Sequence, residues 1–469
     1  MKRNQIVTGK VIDTAFPSTG KVLIDDSDRI AAVKGVLPGQ RIELRLTRTS
    51  VDNTRGELKG IIEHAPYEKE AGCPHFSYVG EDGDRCGGCL YQTISYEKEL
   101  EIKEHQITSL FEKIVPDFGR VFEGITGSEE KGYRNKMEFT FGDRVKDGPL
   151  ELGMHRKGSF YDIVSTPGCT ICHEDFGAIL KATLDFFKGV PYYHKITHGG
   201  YLRHLLVRRA HFTGQIIVDL VTADYDGDDE ETLLSDYARL LQGLDLEGTL
   251  VGVLHTRNNS VSDTVKDEGT EVLYGSDHFF EKLLGLSFRI TPFSFFQTNS
   301  EGAEKLYGKA GEYLLNALHG EKPDEVFDLY SGTGTIAQVI SPYAKHVTGV
   351  EIVPEAVGAA KENAALNQIT NCDFICNDVF KALDDLKTLP DYIIVDPPRE
   401  GLQPKAITKI LSYQVPAVIY IACKPSSLAR DIPAFIHAGY DVKRMAAVDM
   451  FPRTGNTEVI ALLGRKMPD

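Results

Sequence analysis

The sequence EVFDLYSGTGTIA, residues 325–337, decides the fold of the C-terminal third of the chain. A short apolar run ends at Tyr330, a turn with two glycines follows, and the next residues are typical of a helix. Comparable buried runs follow, several of them separated by helical segments: HVTGVEIV, CDFICND, YIIVDPP, AVIYIAC and EVIALLG. This alternation predicts a doubly wound α/β domain over residues 300–469, with a mostly parallel sheet and helices on both faces.

Two other patterns precede this region, so we predict a multidomain chain. Residues 1–62 contain short β-branched runs broken by glycine and proline, which predict a small OB-like β-barrel. A barrel of this kind is either a structural cap or an oligonucleotide-binding module, and the pattern leaves both open. Residues 63–299 mix a helical stretch with strand-like runs and predict a central α+β domain built on an antiparallel sheet.

Composition excludes several classes of protein. The chain has 469 residues, 42% hydrophobic and 26% charged, which is typical of a globular protein. The net charge of −16 argues against a general nucleic-acid coat protein, although 52 Lys and Arg residues allow a local basic surface. Eight cysteines are too few for a disulfide scaffold. Because no apolar run is long enough to cross a bilayer and no export signal is visible, we expect a cytoplasmic protein with reduced thiols.

Chemically active side chains recur where the buried strands of the C-terminal domain end. Parallel strands of an open α/β sheet bind their ligands at the carboxyl edge, so these side chains are expected at one site. A single acidic strand end is commonly a solvated loop residue, but a series of five points to a binding site. The five residues are Asp328, Glu351, Asp378, Asp396 and Cys423.

The glycine turn at residues 331–335 favours a nucleoside cofactor. Together with Glu351 it fits a relaxed dinucleotide pattern, in which the acid binds a ribose hydroxyl. The same turn suits S-adenosylmethionine, with Glu351 on the ribose and Asp378 on the adenine amino group. At this point a nicotinamide oxidoreductase and a methyltransferase both remain open.

Two features at the same edge indicate the chemistry. In the sequence DPPR, residues 396–399, the two prolines make a rigid extended backbone that would hold the carboxylate toward a planar polar substrate. Cys423 ends a buried run, and Lys424 and a helix start follow it, where positive charge and dipole would favour a thiolate. Cys423 is therefore a candidate nucleophile, with an inert core cysteine as the alternative.

These motifs, taken in order along the chain, resemble the S-adenosylmethionine-dependent RNA uracil-C5 methyltransferases, which make 5-methyluridine in tRNA and 23S rRNA. The resemblance covers nearly the whole chain and implies that the N-terminal barrel is a TRAM domain. The motifs that carry it are GVLPGQ (35–40), YRNK (133–136), SFFQTN (294–299), DLYSG (328–332), DPPR (396–399), CKP (423–425), LARD (428–431) and FPRTGNTE (451–458).

The resemblance implies a covalent mechanism on an RNA substrate. C5 of uracil is a poor nucleophile, so Cys423 would add to C6 to activate it, and Glu458 would then remove the C5 proton. We expect desolvation to raise the pKa of Glu458. Phe295 would stack on the flipped base, and Asp396 would bind the uracil edge. The cofactor positions that the resemblance implies are Gln297, Tyr330, Thr335, Glu351, Asp378 and Asp396.

Three residues depart from the family pattern. The family commonly has histidines where this chain has Arg453 and Asn456, and it favours Asn or Asp where Lys424 follows the nucleophile. These departures bear on substrate positioning and on thiolate activation. They also keep a catalytically silent RNA-binding protein as a third alternative.

A set of four cysteines is the candidate metal site. The resemblance implies that it holds a 4Fe–4S cluster, although the first gap of twelve residues is longer than the family's. The spacing of two CxxC pairs leaves structural zinc open, and free thiols are the third possibility. Family position alone favours Cys169 over Cys172, whereas Cys372 and Cys376 are predicted to lie in the core. The four predicted ligands are Cys73, Cys86, Cys89 and Cys169.

The predicted activity is methylation of C5 of a specific uridine in RNA, with 23S rRNA favoured over tRNA as the partner. A basic stretch offers a further hypothesis about that partner. Arg203, Arg208 and Arg209 would face the RNA backbone, although solvated charges are the commoner explanation of such a stretch.

Overall fold

The computed structural model describes residues 1–50, 52–81, 83–225, 227–262, 267–317, 322–385 and 388–466. Within these ranges the strands form a closed five-stranded barrel and sheets of seven, two and eight strands. None of the helices described is both long enough and apolar enough to span a bilayer.

The N-terminal strands close into a barrel because alternate side chains are apolar and point inward. Val11, Val22 and Ile42 are fully buried in its core. At Gly56 a Cβ atom would lie 2.5 Å from the side chain of Leu44, so only glycine lets that strand cross the core. The strands are β1 (Ile6–Ala15), β2 (Thr19–Ile24), β3 (Ile30–Lys34), β4 (Arg41–Ser50) and β5 (Asn53–Glu63).

The central region contains the seven-stranded sheet and a separate hairpin. The elements are α1 (Tyr96–Phe111), α2 (Phe118–Val121), β6 (Phe122–Thr126), β7 (Lys136–Asp143), β8 (Leu150–His155), β9 (Ile163–Ser165), α3 (Glu174–Phe186), β10 (Leu202–Arg209), β11 (Gln215–Thr222), α4 (Glu230–Gln242), β12 (Thr249–Arg257), β13 (Thr270–Gly275), β14 (Phe279–Leu283) and β15 (Leu286–Ile290). The sheet order is β13-β12-β11-β10-β7-β8-β9, and β14 pairs with β15. All neighbours in the large sheet are antiparallel except β11 and β12, which are parallel.

The C-terminal region has the predicted alternation of helix and strand. Its elements are α5 (Ser300–Ala317), β16 (Glu325–Leu329), α6 (Thr335–Ile340), β17 (His346–Glu351), α7 (Pro354–Leu366), β18 (Cys372–Cys376), α8 (Val379–Asp385), β19 (Tyr392–Val395), α9 (Pro404–Ser412), β20 (Ala417–Ala422), α10 (Pro425–His437), β21 (Tyr440–Val448) and β22 (Glu458–Arg465). The sheet order is β18-β17-β16-β19-β20-β22-β21-β6, with β16 to β20 parallel and β22 antiparallel to its neighbours. The strand order reverses between β16 and β19, which places the ligand crevice at their carboxyl ends.

One segment of the predicted central domain belongs to the C-terminal sheet instead. β6 pairs in parallel with β21, where Ile125 lies opposite Ala447 and Thr126 opposite Val448. α1 also packs against α10. Residues 63–299 are therefore not one separate packing unit. The pattern of a five-residue strand carries no information about a partner more than three hundred residues away.

Candidate active site and cysteine loop

A single cavity of about 1490 Å³ extends from the carboxyl edge of the C-terminal sheet to the cysteine loop. This volume exceeds the usual range for a small-molecule site, so the cavity has room for a cofactor together with part of a larger substrate. Asp378 is the one predicted site residue that is not among the described residues lining the cavity. The predicted residues that do line it are Cys73, Cys86, Cys89, Cys169, Phe295, Gln297, Tyr330, Thr335, Glu351, Asp396, Cys423 and Glu458.

The turn after β16 has the backbone conformation that its glycines permit. Tyr330, Gly332 and Gly334 have φ angles of 66°, 53° and 71°, all in the left-handed region. At Gly334 a Cβ atom would lie 2.5 Å from the ring of Phe374, so a side chain is excluded there for steric reasons as well. The turn thus leaves open space above the strand ends for a ligand.

The two predicted nucleoside-binding acids have different surroundings. The Glu351 carboxylate accepts a hydrogen bond from the Gly332 amide at 3.1 Å and two from the next backbone amides of its own chain, at 2.8 and 2.9 Å. These bonds hold the carboxylate at the cavity wall. Asp378 instead accepts a bond from the Lys381 amide at 3.2 Å, at the start of α8. Its charge adds to burial in raising the pKa of Tyr330, so Asp378 lies near that tyrosine.

Strand register brings Cys423 and Glu458 together. In the antiparallel pair of β20 and β22, Ala422 lies opposite Val459, so the residue after β20 meets the first residue of β22. Cys423 is partly buried, whereas the Glu458 side chain is only 2% exposed. The proposed nucleophile and proton acceptor therefore occupy neighbouring positions at the same wall of the cavity.

The expectation that Lys424 and the helix start favour a thiolate is wrong. Burial, together with the carboxyls of Glu458 and Asp396, raises the pKa of Cys423 to about 11. Lys424 is exposed, and the cation that lowers this pKa is Arg399, which also hydrogen-bonds the thiol. Desolvation therefore outweighs the positive charge near the sulfur.

Burial also favours the neutral forms of the carboxyls at this edge. The pKa of Glu458 lies well above its ordinary value because of burial and the nearby Asp396, which confirms the predicted direction. Burial raises the pKa of Asp396 to about 7. Asp328, under the glycine turn, has its pKa raised to about 8, mainly by burial. The site is thus a desolvated group of weak acids beside the Arg399 cation.

The segment before α5 presents an aromatic ring at the cavity. The Phe295 side chain is 67% exposed, which makes it available for stacking. Asn135 holds the residues that follow Phe295. Its side chain donates to the Gln297 carbonyl and its backbone N–H donates to the Thr298 carbonyl, both at 2.9 Å. The Tyr307 hydroxyl hydrogen-bonds the Gln297 side chain. The backbone and side chain of Gln297 are therefore both fixed.

Three residues of this site have no role in the sequence analysis. Arg399 lies in the DPPR motif and Asn135 in the YRNK motif, so the presence of these motifs was a sequence signal that could have identified both residues. Tyr307 lines the cavity from α5, and its helical position carries no sequence signal that separates it from the other core residues.

Arg453, where the family commonly has histidine, connects the closing motif to the cysteine loop. Its carbonyl accepts from the amides of Leu90 and Tyr91 at 2.7 and 3.1 Å, and its own amide donates to Glu99 at 2.7 Å. Its guanidinium donates to the Tyr91 carbonyl at 3.1 Å. With the residue 7% exposed, these contacts are structural. Asn456, the other departure in this motif, lines the cavity.

The four predicted cysteine ligands share one end of the cavity. Burial raises the pKa of Cys86 to about 11 and that of Cys89 to about 12, and the neighbouring thiols add to both shifts. Burial and Cys169 also raise the pKa of Cys73. In number and type these sulfurs fit the donor set of a 4Fe–4S cluster. Among the described residues, however, no group of three or more His, Cys, Asp or Glu is arranged to hold a metal ion.

The remaining cysteines divide between core and surface. Cys172 is buried and packs in the core of the central sheet, where its thiol donates to the carbonyl of Cys169, a residue of the cavity wall, at 3.7 Å. Cys372 is partly buried, whereas Cys376 is exposed, so the prediction that Cys376 lies in the core is wrong. The reason is that β18 is the edge strand of its sheet, so its last residue has no strand on the outer side.

The hypothesis that Arg203, Arg208 and Arg209 face the RNA backbone is wrong. Arg203 and Arg208 are 4% and 1% exposed, and both donate to backbone carbonyls inside the protein. Arg209 pairs with Asp175 at 2.8 Å. The basic stretch lies on a central strand of its sheet, where side chains on both faces are covered.

Comparison with known proteins agrees with this site. A family model described as tRNA (Uracil-5-)-methyltransferase matches residues 282–466. An uncharacterized RNA methyltransferase of Clostridium tetani is 42% identical over 472 residues, covering 99% of both chains. Another, of Caldanaerobacter subterraneus subsp. tengcongensis, is 44% identical over 467 residues, again with 99% of each chain covered.

A solved structure shares the fold. The tRNA (uracil-54, C5)-methyltransferase of Pyrococcus abyssi, in complex with S-adenosyl-L-homocysteine, aligns with a TM-score of 0.73 at 23% identity. The alignment covers 97% of this chain and 100% of that chain, so the likeness extends over all the sheets. From the full-length relatives and the matched family model, the chain belongs to the S-adenosylmethionine-dependent RNA uracil-C5 methyltransferases.

Proposed function

We propose that this RNA methyltransferase works through a transient covalent bond between the Cys423 sulfur and C6 of the target uracil. The observation that carries the proposal is the register of β20 and β22, which sets Cys423 beside Glu458 at one cavity. A nicotinamide oxidoreductase gives no role to this pair, and the family excludes that alternative.

The same cavity supports a cofactor site next to the nucleophile. The open glycine turn and the Glu351 carboxylate held beside it fit a nucleoside ligand. When bound, S-adenosylmethionine supplies an electrophilic methyl group. Asp378 would act from its position near Tyr330. The residues that would hold the cofactor are Gln297, Tyr330, Thr335, Glu351, Asp378 and Asp396.

The residues around the base would have separate roles in binding it and in activating C5. Phe295 would stack on the flipped uracil, which offsets the cost of unstacking by about 1–3 kcal/mol. The Asp396 carboxyl, with its pKa near 7, would hydrogen-bond the uracil edge. Cys423 would release its proton to solvent, aided by Arg399, and its thiolate would add to C6. The C5–C6 π bond breaks as the S–C6 bond forms, and its electrons make C5 nucleophilic toward the methyl group.

Glu458 would complete the cycle once it is ionised. Its raised pKa makes the carboxylate a stronger base than an ordinary glutamate, as removal of the C5 proton requires. As Glu458 takes that proton, the C5–H electron pair forms the C5–C6 double bond while the S–C6 bond breaks. The electrons of the S–C6 bond return to Cys423 as thiolate.

Trapping with 5-fluorouridine RNA tests this scheme. Fluorine at C5 cannot leave as a proton does, so the adduct should persist and migrate slowly on a denaturing gel in the presence of S-adenosylmethionine. The variant C423A is the control and should give no slow band. An enzyme that methylates ordinary RNA but forms no adduct with 5-fluorouridine RNA would contradict the covalent mechanism.

The favoured RNA is 23S rRNA, and the N-terminal barrel is proposed to be a TRAM domain that contacts it. Five-stranded barrels are common oligonucleotide-binding modules, which supports a role beyond that of a cap. Mapping 5-methyluridine in rRNA and tRNA from cells with and without the gene tests the substrate. Loss of the modification from tRNA alone would show that the rRNA preference is wrong.

We also propose that Cys73, Cys86, Cys89 and Cys169 hold a 4Fe–4S cluster. Their shared position at one end of the cavity supports this assignment, and the polar, glycine-rich residues 74–85 fit a loop insertion. Iron and sulfide analysis of anaerobically purified protein should find about four of each per chain. Stoichiometric zinc without iron would favour the rival assignment.

A further inference from the structure

Arg208 is a buried cation whose guanidinium donates to three backbone carbonyls and lies 5.7 Å from the centre of the Phe279 ring. It lies on β10, is 1% exposed, and donates from Nη1 to the carbonyls of Thr291, Pro292 and Ser294 at 2.7, 3.1 and 2.8 Å. Burial lowers its pKa to about 9. A guanidinium held in this way is costly compared with an apolar side chain of similar size. Its planar fork can, however, fix several acceptors in one geometry.

The segment that Arg208 binds leads directly into the residues proposed for the reaction. Phe295 follows the last bonded carbonyl by one residue, and Gln297 by three. Thr291 and Ser294 also line the cavity themselves. Asn135 holds the far side of the same segment through the Gln297 carbonyl. The central sheet therefore holds this segment from two neighbouring strands, β10 and the start of β7.

We propose that Arg208 is a positioning residue of the methyl-transfer site, which holds residues 291–294 so that Phe295 and Gln297 stand at the cavity in their working geometry. The inference rests on the proposed roles of those two residues. It also assigns a function to the central sheet, which supports a substrate-stacking and cofactor-binding segment of the C-terminal site.

The chain supplies a matched control on the same strand. Arg203 is 4% exposed and donates to the carbonyls of Asn258, Ser260 and Ser262 at 2.8, 2.7 and 2.7 Å. Of the described residues, those three do not line the cavity. Arg203 therefore makes the same kind of contact with residues that do not line the cavity, so the loss of Arg203 serves as the control for stability.

The test compares R208M, R208K and R203M in the full chain. Measurements are melting temperature, Kd for S-adenosylmethionine by calorimetry, and kcat and KM on methyl-accepting RNA. Because a displacement of about 1 Å in a positioned group costs about 10²-fold, R208M should lower kcat/KM by about that factor and weaken cofactor binding. R208K keeps the charge without the fork and should recover part of the loss. R203M should lower the melting temperature comparably and leave kcat/KM within about twofold.

The outcomes separate this inference from the proposed function. If R208M and R203M lower kcat/KM equally, or if R208M retains wild-type cofactor affinity and kcat, Arg208 serves stability only and the inference is overturned. If R208M does not fold, R208K decides between the same outcomes. The wild-type adduct with 5-fluorouridine RNA reports on the covalent mechanism independently of any Arg208 variant, so failure there overturns the proposed function instead.

Discussion

The two ends of the cavity are built in different ways. The nucleophile end, comprising Asp396, Cys423 and Glu458, stands on strand ends whose register sets each side chain. The cysteine end, comprising Cys73, Cys86, Cys89 and Cys169, is formed by loops that bring the thiols to one wall. Strand register gives the nucleophile end its geometry without a ligand. At the cysteine end, by contrast, the described residues do not include three or more His, Cys, Asp or Glu side chains arranged to hold a metal ion.

Electrostatics separates the two ends as well. Burial disfavours thiolates at both, but Arg399 stands beside Cys423 and lowers its pKa. At the cysteine end burial and neighbouring thiols raise the pKa values of Cys86 and Cys89, whereas hydrogen bonds from Cys172 and the backbone lower the pKa of Cys169 to about 6. We conclude that a cation, Arg399, favours the thiolate at the nucleophile end, whereas hydrogen bonds favour it at Cys169.

The largest expected effect is at the nucleophile itself. C423A removes the sulfur that bonds to C6, so methyl transfer should fall by about 10³-fold or more, as for nucleophiles of other covalent enzymes. Calorimetric binding of S-adenosylmethionine should stay near the wild-type value. The exposed cysteine variant C376A is the control and should remain active. Substantial transfer by C423A would remove the covalent step from the mechanism.

The next effect concerns proton removal. E458Q keeps the shape of the side chain but cannot accept the C5 proton, so turnover should fall by about 10²-fold or more. The methylated adduct should then accumulate on ordinary uridine RNA, which a denaturing gel with radiolabelled RNA detects. E400Q, an exposed neutralisation, should accumulate none. Fast turnover without adduct in E458Q would assign the base to another group.

The third effect tests whether the nucleophile end depends on its own cation. Burial raises the pKa of the Cys423 thiol, and Arg399 lowers it. The thiolate fraction therefore increases with pH, and loss of Arg399 decreases that fraction at neutral pH. R399Q should raise the pKa of Cys423 by about one unit and slow adduct formation at pH 7 about tenfold. The rate profile should move toward alkaline pH by the same amount. K405Q, an exposed charge loss, should leave the profile in place; an unmoved profile in R399Q would contradict the assignment.

The smallest effect on catalysis is expected at the cysteine end. C86S should lose iron from anaerobically purified protein, because one cluster ligand is gone. Methyl transfer should change by less than about tenfold, since no thiol of this set touches the reacting atoms in the proposed scheme. C172S removes the thiol that contacts Cys169 but leaves all four proposed ligands in place, so it should keep its iron. Loss of iron in C172S but not in C86S would reassign the ligand set.

The sequence indicated more of the nucleophile end than of its surroundings. The β16 turn was predictable because Gly334 and its neighbours carry a local steric requirement that is visible in the motif. The pairing of β6 with β21 was not predictable, because the sequence of a short strand does not indicate which strand it pairs with. Arg208 shows the same limit, since a basic stretch on a strand looks solvated until the other faces of the sheet are known.

Whereas the family resemblance named Glu458, periodicity and turn chemistry, read from the sequence alone, determined the α/β architecture of residues 300–469 and identified Cys423 and Asp396 as chemically active candidates. Both signals are local, so neighbouring residues suffice to read them. Only the tertiary structure decided that the Cys423 thiol has a raised pKa, that Arg399 is its cation and that Arg208 supports the Phe295 segment. Desolvation and contact depend on atoms brought together from distant parts of the chain, which no local pattern contains.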